Sequence, residues 1–225
     1  MRAKFQIAAV IFDMDGLIVD SELIYKQTWQ TACKEYGFNL SDEEHNQLKG
    51  RGRKAALLEV QKNAALQSVI LDLEKFAATL IKFENQFFNS EPLQTKRGFY
   101  ELLDFLEEIK IPKAVATSTS HSAAKRTLES LGVFERFHAI VGGDEVSRGK
   151  PSPDIFEEAQ SRLGVDSKDC LVLEDSEHGV QGAKAAGMYA VRIPDGITKD
   201  QIEFSKADLI LDSLTEVLSI IQPKY

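Results

Sequence analysis

Apolar residues along this chain come in short unbroken runs separated by amphipathic stretches. Residues 5–12, FQIAAVIF, are nearly continuous apolar residues of strand length, the pattern of a strand covered on both faces. Runs of the same kind return at KAVATS, HAIVGG, CLVLED, YAVRIPDG and ADLILDSL. Between them the apolar positions fall three and four apart, which predicts helices over 97–109, 121–131, 154–163, 177–186 and 214–221. Strands alternating with helices predict an α/β fold in which a parallel sheet carries helices on both faces.

One region breaks the alternation. From about Leu23 to Ser90 only helical periodicity is present, in ELIYKQTWQTACKEYG, DEEHNQLKG, GRKAALLEVQKNAAL and LEKFAATLIKFENQFF. The pattern predicts an α-helical domain of residues 18–91 inserted into a sheet domain made of 1–17 and 92–225. No repeat, low-complexity tract or long Gly/Ser linker interrupts the chain, so both crossings are expected to be short hinges. Trp29 and the phenylalanines of the insert fall at helical spacing and read as core.

Composition narrows the function classes. The chain has 225 residues, 43% hydrophobic and 28% charged, enough for a sizeable core. It contains no apolar run of membrane-spanning length, and the basic start MRAKFQIAAVIF leads into aspartates rather than a cleavage region. A net charge of −8 argues against nucleic-acid binding, which needs a basic face. Cys33 and Cys170 lie far apart and suggest neither a disulfide framework nor a zinc site. A cytoplasmic protein with no nucleic-acid or membrane partner is expected, and with no heptad pattern, a monomer.

The strand ends carry the candidate chemistry, because ligands of an open parallel sheet bind beyond the carboxyl ends of its strands. The first strand ends in Asp13 and Asp15, KAVATS in Thr117 and Ser118, and CLVLED in Glu174 and Asp175; Lys150 stands in RGKPSPDIF before a helix. A carboxylate can attack phosphorus and form an aspartyl-phosphate, splitting one hard displacement into two. Anion then attacks anion, so a hard cation and fixed positive groups must neutralise charge. Three converging carboxylates suit Mg2+, and Lys150 would offset charge on the nucleophile and the phosphoryl group. Asp13 and Asp15, two apart in an extended segment, can face one pocket, where Asp15 would protonate the leaving alcohol and later take a proton from water.

DMDG, ATS, GKPSPDIF and LEDSEHGV, in that order and spacing, resemble the four motifs of haloacid-dehalogenase-superfamily phosphatases across nearly the whole chain. The helical insert is similar to the cap of the beta-phosphoglucomutase-like branch. The resemblance implies a Rossmann-like core with a helical cap and an Mg2+-dependent phosphatase acting on a small phosphorylated metabolite, a sugar phosphate or nucleoside monophosphate. It implies Asp13 as nucleophile, Asp15 as acid/base and metal ligand, Thr117 as phosphate holder in preference to Ser118, Lys150 as charge clamp, and Asp13, Asp15, Glu174 and Asp175 as the metal shell. Gly16, Ser118, Lys49 and Arg53 are the implied substrate contacts, the last two from QLKGRGRKAALLEV, which resembles the mutase substrate loop.

The acid at Asp15 argues against the dehalogenating and phosphonate-cleaving branches. Tyr25 stands where mutases of the branch carry a histidine, which favours phosphatase over mutase; DMDGLIVDSELIY and IPDGIT also resemble a relative that hydrolyses pseudouridine 5′-phosphate. A mutase and a non-catalytic phospho-ligand binding protein are the alternatives.

Plainer readings stand beside these. A calcium loop at Asp13 fails because Gly16 comes too early. Basic residues Lys49, Arg51, Arg53 and Lys54 at a helix start oppose the helix dipole, which favours an anion contact at Arg53 over a solvated face. His45, His121, His138 and His178 lack metal-ligand spacing and read as local capping or surface residues.

Overall fold

The apolar run at 5–12 is two strands rather than one. In the computed structural model, which describes residues 5–20, 22–48, 53–90, 93–195, 202 and 204–224, β1 (Phe5–Ile7) pairs in parallel with the C-terminal β8 (Ile221–Pro223). Gln6 is exposed, so β1 has one covered face, whereas all four residues of β2 (Ala9–Phe12) are buried. The chain steps between the two sheets at Ala8, whose N–H donates to Asp169 O at 2.8 Å.

The main sheet adds β3 (Lys113–Ala116), β4 (Ala139–Val141), β5 (Cys170–Glu174), β6 (Tyr189–Arg192) and β7 (Leu209–Ile210) to β2. Its order among the described residues is β4-β3-β2-β5-β6-β7, all parallel. The chain winds outward from β2 first to one side and then to the other, which places the topological switch point at β2 and opens a crevice at its carboxyl end.

Alternation along these strands sorts the core into two layers. Val10, Phe12, Val115, Leu171, Leu173 and Val191 face one side, with Leu102 and Leu106 of α5 (Phe99–Glu108) and Leu128 of α6 (His121–Ser130). Ile11, Ala114, Ala116, Val172 and Ala190 face the other, with Phe156 of α7 (Asp154–Leu163) and Val180 of α8 (Glu177–Ala185). Small residues on the second face let α7 and α8 lie close to the sheet. The predicted helix at 214–221 is instead a 3-10 helix, Leu214–Ser219, that hands over to β8. Leu214, Val217 and Ile220 are buried and three apart, which matches the three-residue turn of that helix.

The chain forms two compact units, Met1–Asp20 with Leu93–Tyr225, and Ser21–Pro92. The sequence pattern puts the first crossing near residue 17; the contacts carry the sheet unit on to Asp20 because Val19 bridges both Asp15 and Thr95. The helical unit holds α1 (Glu22–Glu35), α2 (Asp42–Asn46), α3 (Arg53–Leu66) and α4 (Leu73–Ser90). Its own core centres on Phe76, with the rings of Trp29, Tyr36 and Phe38 within 6.3 Å of it. A capping box of Ser41 and Glu44 starts α2. His45 in that helix is buried, not a surface residue as its spacing suggested.

Candidate active site

Asp13 is the first residue past β2, and its N–H extends the ladder by donating to Leu173 O at 2.9 Å. The backbone then turns: Ile18 N–H and Val19 N–H return to Met14 O, and Gly16 takes φ +86°. A Cβ on Gly16 would lie 2.5 Å from Asp175 Oδ2, so this position needs glycine both for its backbone angle and for the carboxylate beside it. The steric demand alone recurs in the first turn of α8, where a Cβ on Gly179 would fall 1.8 Å from Glu174 Oε1. Glycine at these two positions leaves room for the Asp175 and Glu174 carboxylates.

Lys150 is the centre of the site. Its side chain is 7% exposed, and its ammonium donates to Asp13 Oδ1, to Glu174 Oε1 at 2.5 Å and to Ala116 O at 3.0 Å. Burial disfavours its charge, but Asp13 and Glu174 outweigh that and raise its pKa. Burial also pushes the Asp13 carboxyl up to about 8, with repulsion from Glu174 and Asp15 adding to burial and Lys150 opposing it. Asp175 is raised for the same reasons, burial first, then Glu174, Asp13 and Asp195. One ammonium faces more negative charge than it can neutralise.

Asp13, Glu174 and Asp175 each offer an oxygen within 4.8 Å of the others. An all-oxygen donor set in which burial and mutual repulsion raise the pKa of Asp13 and Asp175 fits a hard divalent cation such as Mg2+. Glu174 Oε2 is already fixed by Ser176 N–H at 3.1 Å and Ser176 Oγ at 2.9 Å, and Arg192 Nε donates to Asp175 O at 3.0 Å. Arg192 also reaches Glu177 at 3.2 Å, and Glu177 accepts from Ser205 Oγ at 2.6 Å.

On the other side of Asp13, Thr117 is buried and donates from Oγ1 to Asp15 Oδ2 at 3.3 Å, while Ser118 is exposed. A shorter bond to the same Asp15 oxygen, 2.7 Å, comes from Thr119 Oγ1, and the Thr119 N–H donates to Thr117 Oγ1 at 3.1 Å. The structure therefore brings Asp13, Asp15, Gly16, Thr117, Lys150, Glu174 and Asp175 together at one end of the sheet.

Of the two implied contacts in the helical unit, Lys49 lies outside the described residues. Arg53 opens α3, and its Nη2 donates to both oxygens of Glu84 on α4 at 2.8 Å. Its side chain is 45% exposed and that of Glu84 10%. Tyr25 packs against the helical core. His121 pairs with Glu145 at 2.8 Å, and His138 Nδ1 accepts from Lys113 N–H at 3.3 Å.

Ser176, Gly179 and Arg192 join the site without having been singled out from the sequence, and Thr119, offered by ATSTS as a third hydroxyl beside Thr117 and Ser118, meets Asp15. Ser176 lies directly before a predicted helix, so its position carried a signal. Gly179 and Arg192 are identified only by what they touch.

A model of the haloacid dehalogenase-like hydrolases matches residues 10–193. The phosphorylated carbohydrates phosphatase of Thermotoga maritima is 32% identical over 218 residues, covering 93% of this chain and 99% of that protein. The beta-phosphoglucomutase of Bacillus subtilis is 30% identical, covering 92% of this chain and 94% of its own length. The crystal structure of CbbY from Rhodobacter sphaeroides in complex with xylulose-(1,5)bisphosphate superimposes with a TM-score of 0.80 at 26% identity, covering 94% of this chain and 96% of that one. Among the described residues no helix is long and apolar enough to cross a membrane.

Proposed function

This chain belongs to the haloacid dehalogenase-like hydrolases and is a phosphoric monoester hydrolase of their beta-phosphoglucomutase-like branch; from that premise we propose that it is an Mg2+-dependent phosphatase of small phosphorylated metabolites, working through an aspartyl-phosphate on Asp13. The observation that carries the reading is the buried Lys150 set between Asp13 and Glu174, with Asp175 beside them: one fixed cation for three carboxylates.

In the first half-reaction an Asp13 oxygen attacks phosphorus, the P–O ester bond breaks, and Asp15 gives its proton to the departing alkoxide. In the second, water attacks the same phosphorus as Asp15 takes its proton, the Asp13–phosphorus bond breaks, and phosphate leaves with Asp13 regenerated. Lys150 offsets charge on the nucleophile and the transferring group, and Thr117 with neighbouring N–H groups holds the phosphoryl oxygens. Thr117 and Thr119 orient the carboxylate that moves the proton. Mg2+, held by Asp13, Glu174, Asp175 and the Asp15 carbonyl, would supply the charge neutralisation that lets one anion approach another.

We read the helical unit as the cap that selects substrate, and propose Lys49, Arg53, Gly16 and Ser118 as substrate contacts. Two cysteines without a disulfide, both buried, support a reducing, cytoplasmic setting. The test is phosphate release from a panel of sugar phosphates, nucleoside monophosphates and pseudouridine 5′-phosphate with Mg2+, with EDTA and Asp13→Asn as controls. A preferred ester whose hydrolysis stops with either control is the expected result; release that persists in Asp13→Asn overturns the nucleophile. The likeness to the Bacillus subtilis mutase keeps a second reading, phosphosugar isomerisation, and NMR of the products with a bisphosphate activator separates isomer from free phosphate.

A further inference from the structure

Asp195 follows β6 and brings a further carboxylate to the rim of this site. A Cβ on Gly16 would meet Asp175 Oδ2 at 2.5 Å and Asp195 Oδ2 at 3.1 Å, so the two carboxylates are neighbours across the bare Cα of that glycine. Lys96 answers the second of them. Its ammonium donates to Asp195 Oδ1 and, at 3.3 Å, to Asp20 Oδ1, and its side chain is 24% exposed. Burial opposes its charge, but Asp195 and Asp20 together raise its pKa, so it stays cationic. The backbone holds it in place: Lys96 N–H donates to Ile18 O and Asp20 N–H to Gln94 O, both at 2.9 Å, on either side of the Val19–Thr95 bridge.

We propose that Lys96 is a metal-selectivity residue, which by engaging Asp195 keeps an extra carboxylate out of the shell of the cation bound at Asp13, Glu174 and Asp175 and so favours Mg2+ over Ca2+. This rests on the Mg2+ reading above. Mg2+ demands near-octahedral geometry and keeps several waters, so it gains little from another carboxylate; Ca2+ takes about six to eight oxygen ligands and gains from each anionic one. With Asp195 tied to Lys96 the site offers the smaller set. Without Lys96, the Asp195 carboxylate beside Asp175 loses that ammonium, and the added repulsion between the two is a cost that a larger cation relieves by ligating both. Lys96 acts through Asp195 and touches no reacting atom, so it is a positioning residue.

Calorimetric titration of the metal-stripped full chain with MgCl2 and, separately, CaCl2 tests this without turnover. Wild type is expected to prefer Mg2+. In Lys96→Met the Ca2+ dissociation constant should fall about tenfold and that of Mg2+ by no more than about threefold, from the loss of one nearby positive charge. Adding Asp195→Asn to Lys96→Met should return the Mg2+/Ca2+ ratio to that of wild type. Ca2+ affinity unchanged or lower in Lys96→Met, or a double variant that keeps the altered ratio, overturns the proposal. Should Lys96→Met fail to fold, Asp195→Asn alone decides: leaving Lys96 without its main partner should weaken both cations about threefold, and unchanged affinities overturn the assignment. A wild-type chain that binds neither cation removes the metal reading itself, whereas Mg2+ binding with an unmoved ratio removes only the role of Lys96.

Discussion

Strand β3 has a buried lysine at each end, and the two are used in opposite ways. Lys113 starts the strand, 1% exposed, and its ammonium lies 3.0 Å from Glu107 Oε1. Glu107 also receives Arg136 through two bonds of 2.9 Å and keeps 44% of its side chain in solvent. Lys113 and Arg136 thus both meet Glu107, with Arg136 also reaching the exposed Asp104 at 2.5 Å, and the Arg136 bonds, helped by Lys113, hold the Glu107 carboxyl at about 2. Beyond the other end, Lys150 binds Ala116 O and meets Asp13 and Glu174, with Asp175 beside them, and there the Asp13 carboxyl rises to about 8. A buried lysine by itself therefore says little. An excess of buried carboxylates over cations, with glycines leaving room beside them, distinguishes the end where we propose that a cation and a phosphoryl group bind.

The largest test of this contrast is to remove each lysine. Lys150→Met should destabilise the metal-free protein by about 3–5 kcal/mol, because it leaves buried carboxylates facing one another, and should abolish phosphate release. Lys113→Met keeps the volume and leaves Glu107 with Arg136, so about 1 kcal/mol is expected. Denaturant titration of both reads the difference, and equal losses would erase the distinction drawn between the two ends.

A smaller effect is expected at Thr119. Thr119→Val deletes one hydroxyl bond to Asp15, worth about 1 kcal/mol, so turnover of alkyl phosphates should slow roughly five- to tenfold. An aryl phosphate, whose leaving group needs less protonation, should be slowed less, and Thr119→Ser should restore both. The same loss on both substrates would mean that Thr119 only shapes the loop.

The two ends should also differ in pH dependence, where their slopes should be opposite. Glu107 titrates near 4.5 when unfolded and near 2 when folded, so its contribution is present above pH 4.5 and lost as pH falls toward 2. Its exposure means salt should blunt that loss. Asp13 in the metal-free protein has the reverse sign: its carboxyl is raised from 3.8 to about 8, so its contribution is present below 3.8 and lost as pH rises through 8. Thermal unfolding from pH 2 to 9 should show an acid limb flattened by Glu107→Gln and an alkaline limb flattened by Asp13→Asn. If each substitution moves the other limb, the assignment is reversed.

Periodicity alone separated the sheet unit from the helical one, because a parallel strand buried on both faces and an amphipathic helix write different spacings into the chain. It also put Asp13, Asp15, Thr117, Glu174 and Asp175 at strand ends, where ligands of an open parallel sheet gather, and Lys150 just before a helix. It missed the break at Ala8, where FQIAAVIF shows no change of apolar character although its halves join different sheets. It read 214–221 as an α-helix because three-residue and four-residue spacings overlap over so few positions.

What the sequence by itself determined is the inventory: which elements form, in what order, and which chemical groups stand where strands end. That information is local, written in spacing and residue type. What only the tertiary structure decided is the company each group keeps. That Lys150 spans residues 137 positions apart in Asp13 and only 24 apart in Glu174, that Thr119 holds Asp15, that Gly179 makes room for Glu174, and that Lys96 stands against Asp195 are contacts between distant parts of the chain. Charge and burial act through distance in space, so the state of each carboxylate follows from strand order and packing, which no local pattern records.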